Sequence, residues 1–235
     1  MKIDSVEFVR SAAGPRDLPD AGLPELAMVG RSNVGKSALI NALVKHQVAR
    51  TSGTPGKTRL INLYRVVAAP TGPFYLVDLP GYGYARKEGR AEFERLAAMY
   101  FARAGRVRTP SEARRPKSDA GEGTSDLGHR TSDDPVRETP IGVLLALDAR
   151  HPGMERDLGT ARWLRDRQFD PLVVVTKIDK LSRSERAKAL DRFEQLFGQP
   201  VRAVSATAGE GLEDLWKQMV SWVVSTAAAR PTSRP

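Results

Sequence analysis

The octapeptide Gly30-Arg31-Ser32-Asn33-Val34-Gly35-Lys36-Ser37 constrains this chain more than any other feature. It matches G-x-x-x-x-G-K-[ST]. It follows residues 25–29 (ELAMV), which read as a short buried strand, and it leads into Lys36–Val44, which read as a helix. The glycines let the backbone curl so that successive N–H groups point at phosphate oxygens, and the helix contributes its partly positive N-terminus. In such a cradle Lys36 is expected to reach the β- and γ-phosphates, and the Ser37 hydroxyl to ligate Mg²⁺. A glycine-rich turn without a ligand is the bland alternative, and the strand–loop–helix context argues against it.

Three further segments complete a nucleotide site. Asp78-Leu79-Pro80-Gly81 follows an apolar strand at 74–77. An aspartate at a strand's carboxyl end suits a water-mediated Mg²⁺ contact, and Gly81 offers an unobstructed N–H toward a γ-phosphate. The polar stretch 50–58 (RTSGTPGKT) suits a switch loop, in which one hydroxyl joins the Mg²⁺ shell only when the triphosphate is bound. Spacing alone leaves Thr51, Thr54 and Thr58 as equal candidates. The apolar run 172–175 then enters Thr176-Lys177-Ile178-Asp179. The Asp179 carboxylate is expected to accept paired hydrogen bonds from the N1–H and exocyclic amino group of guanine, a donor pair adenine lacks. Lys177 would lay its aliphatic stem along the base, and Val204-Ser205-Ala206 would bring a backbone N–H to the guanine O6.

Around these segments strands and helices alternate. Strands are expected at 60–67, 74–78, 141–147, 172–175 and 201–205, and helices at 90–104, 155–167, 184–197 and 212–224. The pattern predicts a three-layer α/β domain whose central, mostly parallel sheet is flanked by helices on both faces. Residues 1–24 read as an N-terminal strand and lead-in, and 25–226 as the nucleotide-binding domain. Residues 227–235 read as a disordered tail. Residues 106–138 break the alternation: rich in Pro, Gly, Ser and charge, they cannot bury enough apolar surface to offset their ordering entropy and read as a disordered insertion.

The chain carries 37 Lys and Arg against 28 Asp and Glu, a net charge of +9. In the insertion seven basic and seven acidic side chains cancel, so the surplus resides elsewhere. A surplus of that size favours a polyanionic partner, with nucleic acid first; a composition bias is the plain alternative. There are no cysteines, which excludes disulfides and thiolate metal sites and suits a reducing cytoplasm. No stretch reaches the roughly 18 apolar residues of a membrane span, and the N-terminus has no signal-peptide core.

Taken together, GRSNVGKSALINAL, ARTSGTPGKTRLINLY, VDLPGYGYA and LDARHP resemble the EngB (YsxC/YihA) family of bacterial P-loop GTPases over nearly the whole chain apart from the insertion and tail. The resemblance implies a Ras-like domain that hydrolyses GTP to GDP and phosphate with Mg²⁺. It places the switch threonine at Thr58, in the triplet Gly56-Lys57-Thr58, and extends nucleotide contacts through Arg59 and Leu60. It further implies a role in assembling the large ribosomal subunit, with a link to cell division and septation, and ribosomal RNA would account for the positive charge. A cytoplasmic monomer is expected. A guanine-nucleotide-dependent scaffold or division protein, for which hydrolysis is incidental, is the alternative.

Lys36, Thr58, Gly81 and Asn33 are the candidates for catalysis. Many small GTPases place a glutamine after D-x-x-G to orient the attacking water; here that place is Tyr82, whose ring cannot act in the same way, although its phenol can make a hydrogen bond. Slow intrinsic turnover, accelerated by a partner, is the expectation. In related GTPases an asparagine at the place of Asn33 helps hold K⁺ beside the phosphates, so K⁺ stimulation is a further expectation. His46, His129 and His151 have no metal spacing. Trp216 and Trp222 lie on a periodic helix face that suggests core packing.

Overall fold

The apolar runs starting at residues 25 and 141 are near-continuous because the strands they form are covered on both faces. A computed structural model of the chain describes residues 2–19, 23–49, 60–82, 87–104 and 140–228. Its strands are β1 (Lys2–Ala12), β2 (Glu25–Gly30), β3 (Ile61–Ala69), β4 (Gly72–Asp78), β5 (Gly142–Asp148), β6 (Leu172–Thr176) and β7 (Arg202–Ala203). The helices are α1 (Lys36–Val44), α2 (Lys87–Ala104), α3 (Glu155–Arg165), α4 (Arg183–Phe197) and α5 (Leu212–Ala228).

The strands form one sheet in the order β1-β3-β4-β2-β5-β6-β7. From β4 to β7 neighbours run parallel, whereas β3 pairs antiparallel with β4 and with β1, so the sheet is mostly parallel. The side-chain period of two sorts each central strand between the layers. Leu26 and Met28 point into a cluster with Leu39, Ile40 and Leu43 of α1 and Leu215, Trp216 and Met219 of α5. Ala27 and Val29 point the other way, among Leu96, Tyr100 and Phe101 of α2, Leu164 of α3 and Phe193 of α4. Two helices on one face and three on the other make the expected three layers. Glu25, only 1% exposed, accepts a hydrogen bond from the Tyr100 hydroxyl (2.9 Å), which ties α2 to the base of β2.

The boundaries differ from the sequence reading in instructive places. β7 is two residues long, because after Val204 donates to the Val175 carbonyl the chain turns and Ser205 N–H bonds to Glu210. α5 runs on through Ala227 and Ala228, two residues read as the start of the tail, since alanine carries the highest helix propensity. Trp216 is core, 4% exposed, its ring 6.1 Å from that of Phe74. The insertion at 106–138 and residues 229–235 lie outside the described residues.

Gly142 opens β5 directly beneath the Trp222 ring of α5: a Cβ placed there would lie 2.3 Å from the nearest ring atom. An indole cannot flex aside as a long aliphatic chain would, so overpacking at this seam costs roughly 1–3 kcal/mol. Gly142→Ala is therefore expected to lower the unfolding free energy by about that amount. Urea denaturation followed by far-UV circular dichroism checks this, and an unchanged midpoint would show that α5 is free to shift.

Candidate functional site

The segments singled out by sequence come together at the carboxyl ends of the parallel strands, where open α/β sheets bind ligands. The phosphate loop leaves β2, Asp78 ends β4, Asp148 ends β5, Thr176 ends β6, and Ser205 follows β7.

The loop has the shape a phosphate cradle needs. A Cβ on Gly30 would lie 2.7 Å from the Ala146 carbonyl, so the chain can leave β2 this close to β5 only through glycine. Gly35 has φ +105°, the left-handed region, and caps the N-terminus of α1. Asn33 is also left-handed, at φ +61°. Val34 is buried, and its carbonyl shares the Thr176 hydroxyl proton (2.7 Å) with the Leu147 carbonyl (2.9 Å), which fastens the loop to β5 and β6. Ser37 stands half-buried in the first turn of α1.

Lys36 and Asp78 form the electrostatic centre. Lys36 is buried and donates to the Gly30 carbonyl (3.3 Å); burial lowers its pKa, and the Asp78 charge works against that. Asp78 is 1% exposed, and burial pushes its carboxyl up to about 6 against the opposing pull of Lys36. Among the described residues its buried Oδ1 has no hydrogen-bond partner. A lone carboxylate oxygen beside the phosphate loop is what a metal-bound water requires on its protein side, so the residues present fit a Mg²⁺ ion held mainly by hydroxyls and phosphates.

The segment after Asp78 lies against the loop. Leu79 N–H bonds to Met28 O (3.1 Å), and Leu79 and Pro80 are both buried. Ser32 N–H bonds to Tyr82 O (2.9 Å), the Ser32 hydroxyl donates to Gly81 O (3.2 Å), and a Cβ on Gly81 would lie 2.8 Å from the Ser32 backbone. Tyr82 is 4% exposed and donates its phenol to Asp157 Oδ1 (2.9 Å), with Arg31 Nε 3.8 Å from the same oxygen and the Phe93 ring 5.3 Å away. The phenol left open by sequence is thus engaged with α3. Asp157 as its partner was not foreseen, because the contact joins residues 75 positions apart.

On the base side, Asp179 Oδ1 accepts from the Ser205 hydroxyl (2.7 Å), a bond that together with Lys180 holds this carboxyl below the ordinary range. Ser205 in turn accepts from Ala208 N–H (3.0 Å), and Ile178 N–H reaches Val204 O at 3.5 Å. Ala206 follows, half-buried. Lys177, at φ +59°, sends its ammonium to the Asn33 carbonyl and to Asp148 Oδ2 (3.0 Å). Sequence reasoning gave Asp148 no role, although it lies in the noted stretch LDARHP. Asn41 was also unassigned: its side-chain amide bonds to Gln47, to Val48 N–H and to both backbone groups of Ala49, which anchors the approach to residue 50. Thr51, Thr54, Gly56, Lys57, Thr58 and Arg59 lie outside the described residues; Leu60 is exposed. Among the described residues no group of three or more acidic, His or Cys side chains could hold a metal.

The raised Asp78 pKa has a checkable sign. The folded state binds this proton more tightly than the unfolded chain, whose value is near 3.8. The resulting stability is full below pH about 4 and is lost as pH rises through about 6. In EDTA without nucleotide, the stability difference between wild type and Asp78→Asn should shift against wild type across that window. Urea melts at stepped pH check it; a flat difference would mean that the carboxyl is solvated.

Residues 25–107 match the family model described as 50S ribosome-binding GTPase. The chain is 37% identical over 230 residues to the probable GTP-binding protein EngB of Pelotomaculum thermopropionicum, covering 95% of this chain and 98% of that one. In fold it is similar to Aquifex aeolicus Era bound to GDP·AlF4⁻, with a TM-score of 0.61 and 20% identity over 85% of this chain and 56% of that one. It is likewise similar to a solved probable GTP-binding protein EngB, with a TM-score of 0.53 and 17% identity over 86% of this chain and 99% of the other. With phosphate loop, buried Lys36–Asp78 pair and Asp179–Ser205 contact built on that fold, the chain belongs to the EngB family of GTP-binding proteins and is a GTPase.

Proposed function

We propose that this GTPase is a slow molecular switch that acts in assembly of the large ribosomal subunit and is needed for normal cell division, working as a cytoplasmic monomer. The observation that carries the switch reading is the contact of Ser32 with Gly81 and Tyr82. The phosphate loop and the segment after Asp78 share hydrogen bonds, so a γ-phosphate seated at one bears directly on the other. The ribosomal part is supported by the description of the matching family model and by the +9 charge, which suits RNA.

In this reading Gly30 to Ser37 cradle the phosphates through backbone N–H groups. Lys36 turns from the Gly30 carbonyl to the β- and γ-oxygens, and the Gly81 N–H meets the γ-phosphate. Residues 56–60 are expected to contribute nucleotide contacts, and Asp179 and Lys177 select and flank guanine, with residues 204–206 behind the base. Mg²⁺, held by Ser37 and Thr58 and through water by Asp78, would neutralise charge on the transferring phosphoryl group. Tyr82 leaves the water-orienting place without a free polar group, since its hydroxyl is engaged by Asp157. Turnover should therefore be slow until a partner orders the site.

Two results are expected. The purified protein should turn over GTP more slowly than about 1 s⁻¹ and accelerate when large ribosomal particles are added. Faster turnover alone would refute the slow-switch reading. GTP-dependent docking onto particles without turnover would favour a scaffold. K⁺ should raise the rate over Na⁺, with Asn33→Ala erasing the difference, because the exposed, left-handed Asn33 stands at the rim of the loop. Equal rates in the two salts would remove K⁺ from the mechanism.

A further inference from the structure

The stretch LDARHP contains a buried carboxylate that the hydrolytic chemistry does not use. Asp148 ends β5 with its side chain 4% exposed, and the β5–β6 register sets its Cα opposite Thr176, the residue before Lys177. Its Oδ1 accepts from the Arg150 backbone N–H (3.1 Å) and Arg150 Nε (2.9 Å). Its Oδ2 accepts from Arg150 Nη2 (2.7 Å) and Lys177 Nζ (3.0 Å), and His151 Nδ1 lies 3.8 Å from Oδ1. Lys177 then reaches over the phosphate loop, where a Cβ on Gly35 would stand 3.5 Å from its Cε and its ammonium meets the Asn33 carbonyl.

We propose that Asp148 is the positioning residue for Lys177, and that Arg150 holds the carboxylate in the orientation this requires. The inference rests on the guanine reading of the pocket beside Asp179. A lysine side chain has many rotamers, so a free Lys177 would have to be ordered each time a base slid beneath its stem. With its ammonium fixed at both Asn33 and Asp148, the stem is ordered before the ligand arrives, and binding is tighter by the ordering it no longer has to supply. Asp148 suits the task because a buried charge cannot drift from its partners. Burial by itself would raise its pKa, yet hydrogen bonds from Arg150 and Lys177 hold it well below the carboxylate range. The contact also links the base pocket to the phosphate loop, since one ammonium joins β5, β6 and Asn33.

A double-mutant cycle tests the assignment, with affinity for a fluorescent GDP as the readout. Asp148→Asn and Lys177→Met are each expected to weaken binding about tenfold. The double variant should be no weaker than Lys177→Met alone, because Asp148 acts only through the lysine. Losses that multiply would overturn the proposal and reveal a general defect of the fold, as would an Asp148→Asn protein that binds like wild type. Should Asp148→Asn not fold, Arg150→Gln decides: a loss of about threefold that vanishes in the Lys177→Met background supports the clamp, and a loss that persists there overturns it. Wild type that fails to bind GDP would instead sink the guanine reading itself, and the proposal with it.

Discussion

Two opposite charges taken out of water at the ends of the central strands set the terms for the rest of this structure. Lys36 and Asp78 are both buried, and each is pulled toward its neutral form by its surroundings. Desolvating such a pair is expensive, and their mutual attraction repays that only when further hydrogen bonds complete the arrangement. Among the described residues the set is incomplete: Lys36 donates to one carbonyl at 3.3 Å, and Asp78 Oδ1 has no partner. The cost is accepted by a core in which β2 is buried along its whole length and both faces are covered. In the proposed function, phosphate would complete the partners of the lysine and a metal-bound water those of the carboxylate.

The loop between those charges is held from two sides by different chemistry. On one side Arg31 and Ser32 meet Gly81 and Tyr82, and Tyr82 is fixed to Asp157 at the start of α3. On the other, Asn33 meets Lys177, which Asp148 and Arg150 hold in place. Consecutive residues of one loop thus meet the segment after Asp78 and the segment that follows β6. The Tyr82–Asp157 bond is buried, where a hydrogen bond is stronger and an unmade one costlier than in water, whereas the Asn33–Lys177 contact is exposed. Coupling between the halves of the pocket needs no long-range pathway, since they share a few residues of backbone.

Much of this was legible in the sequence because it is local. Glycine spacing, the lysine and serine that follow, and an aspartate at a strand's end are properties of short segments, and their roles follow from chain geometry within a few residues. The two-faced sheet was also legible, because a buried parallel strand is apolar along its length while its helices repeat at 3.6 residues. Boundaries were less so: α5 continued through two alanines that composition had assigned to the tail, and β7 stopped where Ser205 found a different acceptor.

By itself, then, the sequence determined that this chain would build a glycine-rich loop between a strand and a helix on a mostly parallel sheet, and it pointed to Asp179 as the residue expected to read guanine. It could also name Lys36, Asp78 and Asp179, because each is announced by its neighbours along the chain. What only tertiary structure decided is where the neutralising partners come from. Tyr82 is claimed by Asp157 from 75 residues away, Asp148 by Lys177 from 29, and Glu25 by Tyr100 from 75. Burial makes a carboxylate without a donor costly, but which donor lies near depends on strand order and register, and those emerge only when the sheet is assembled.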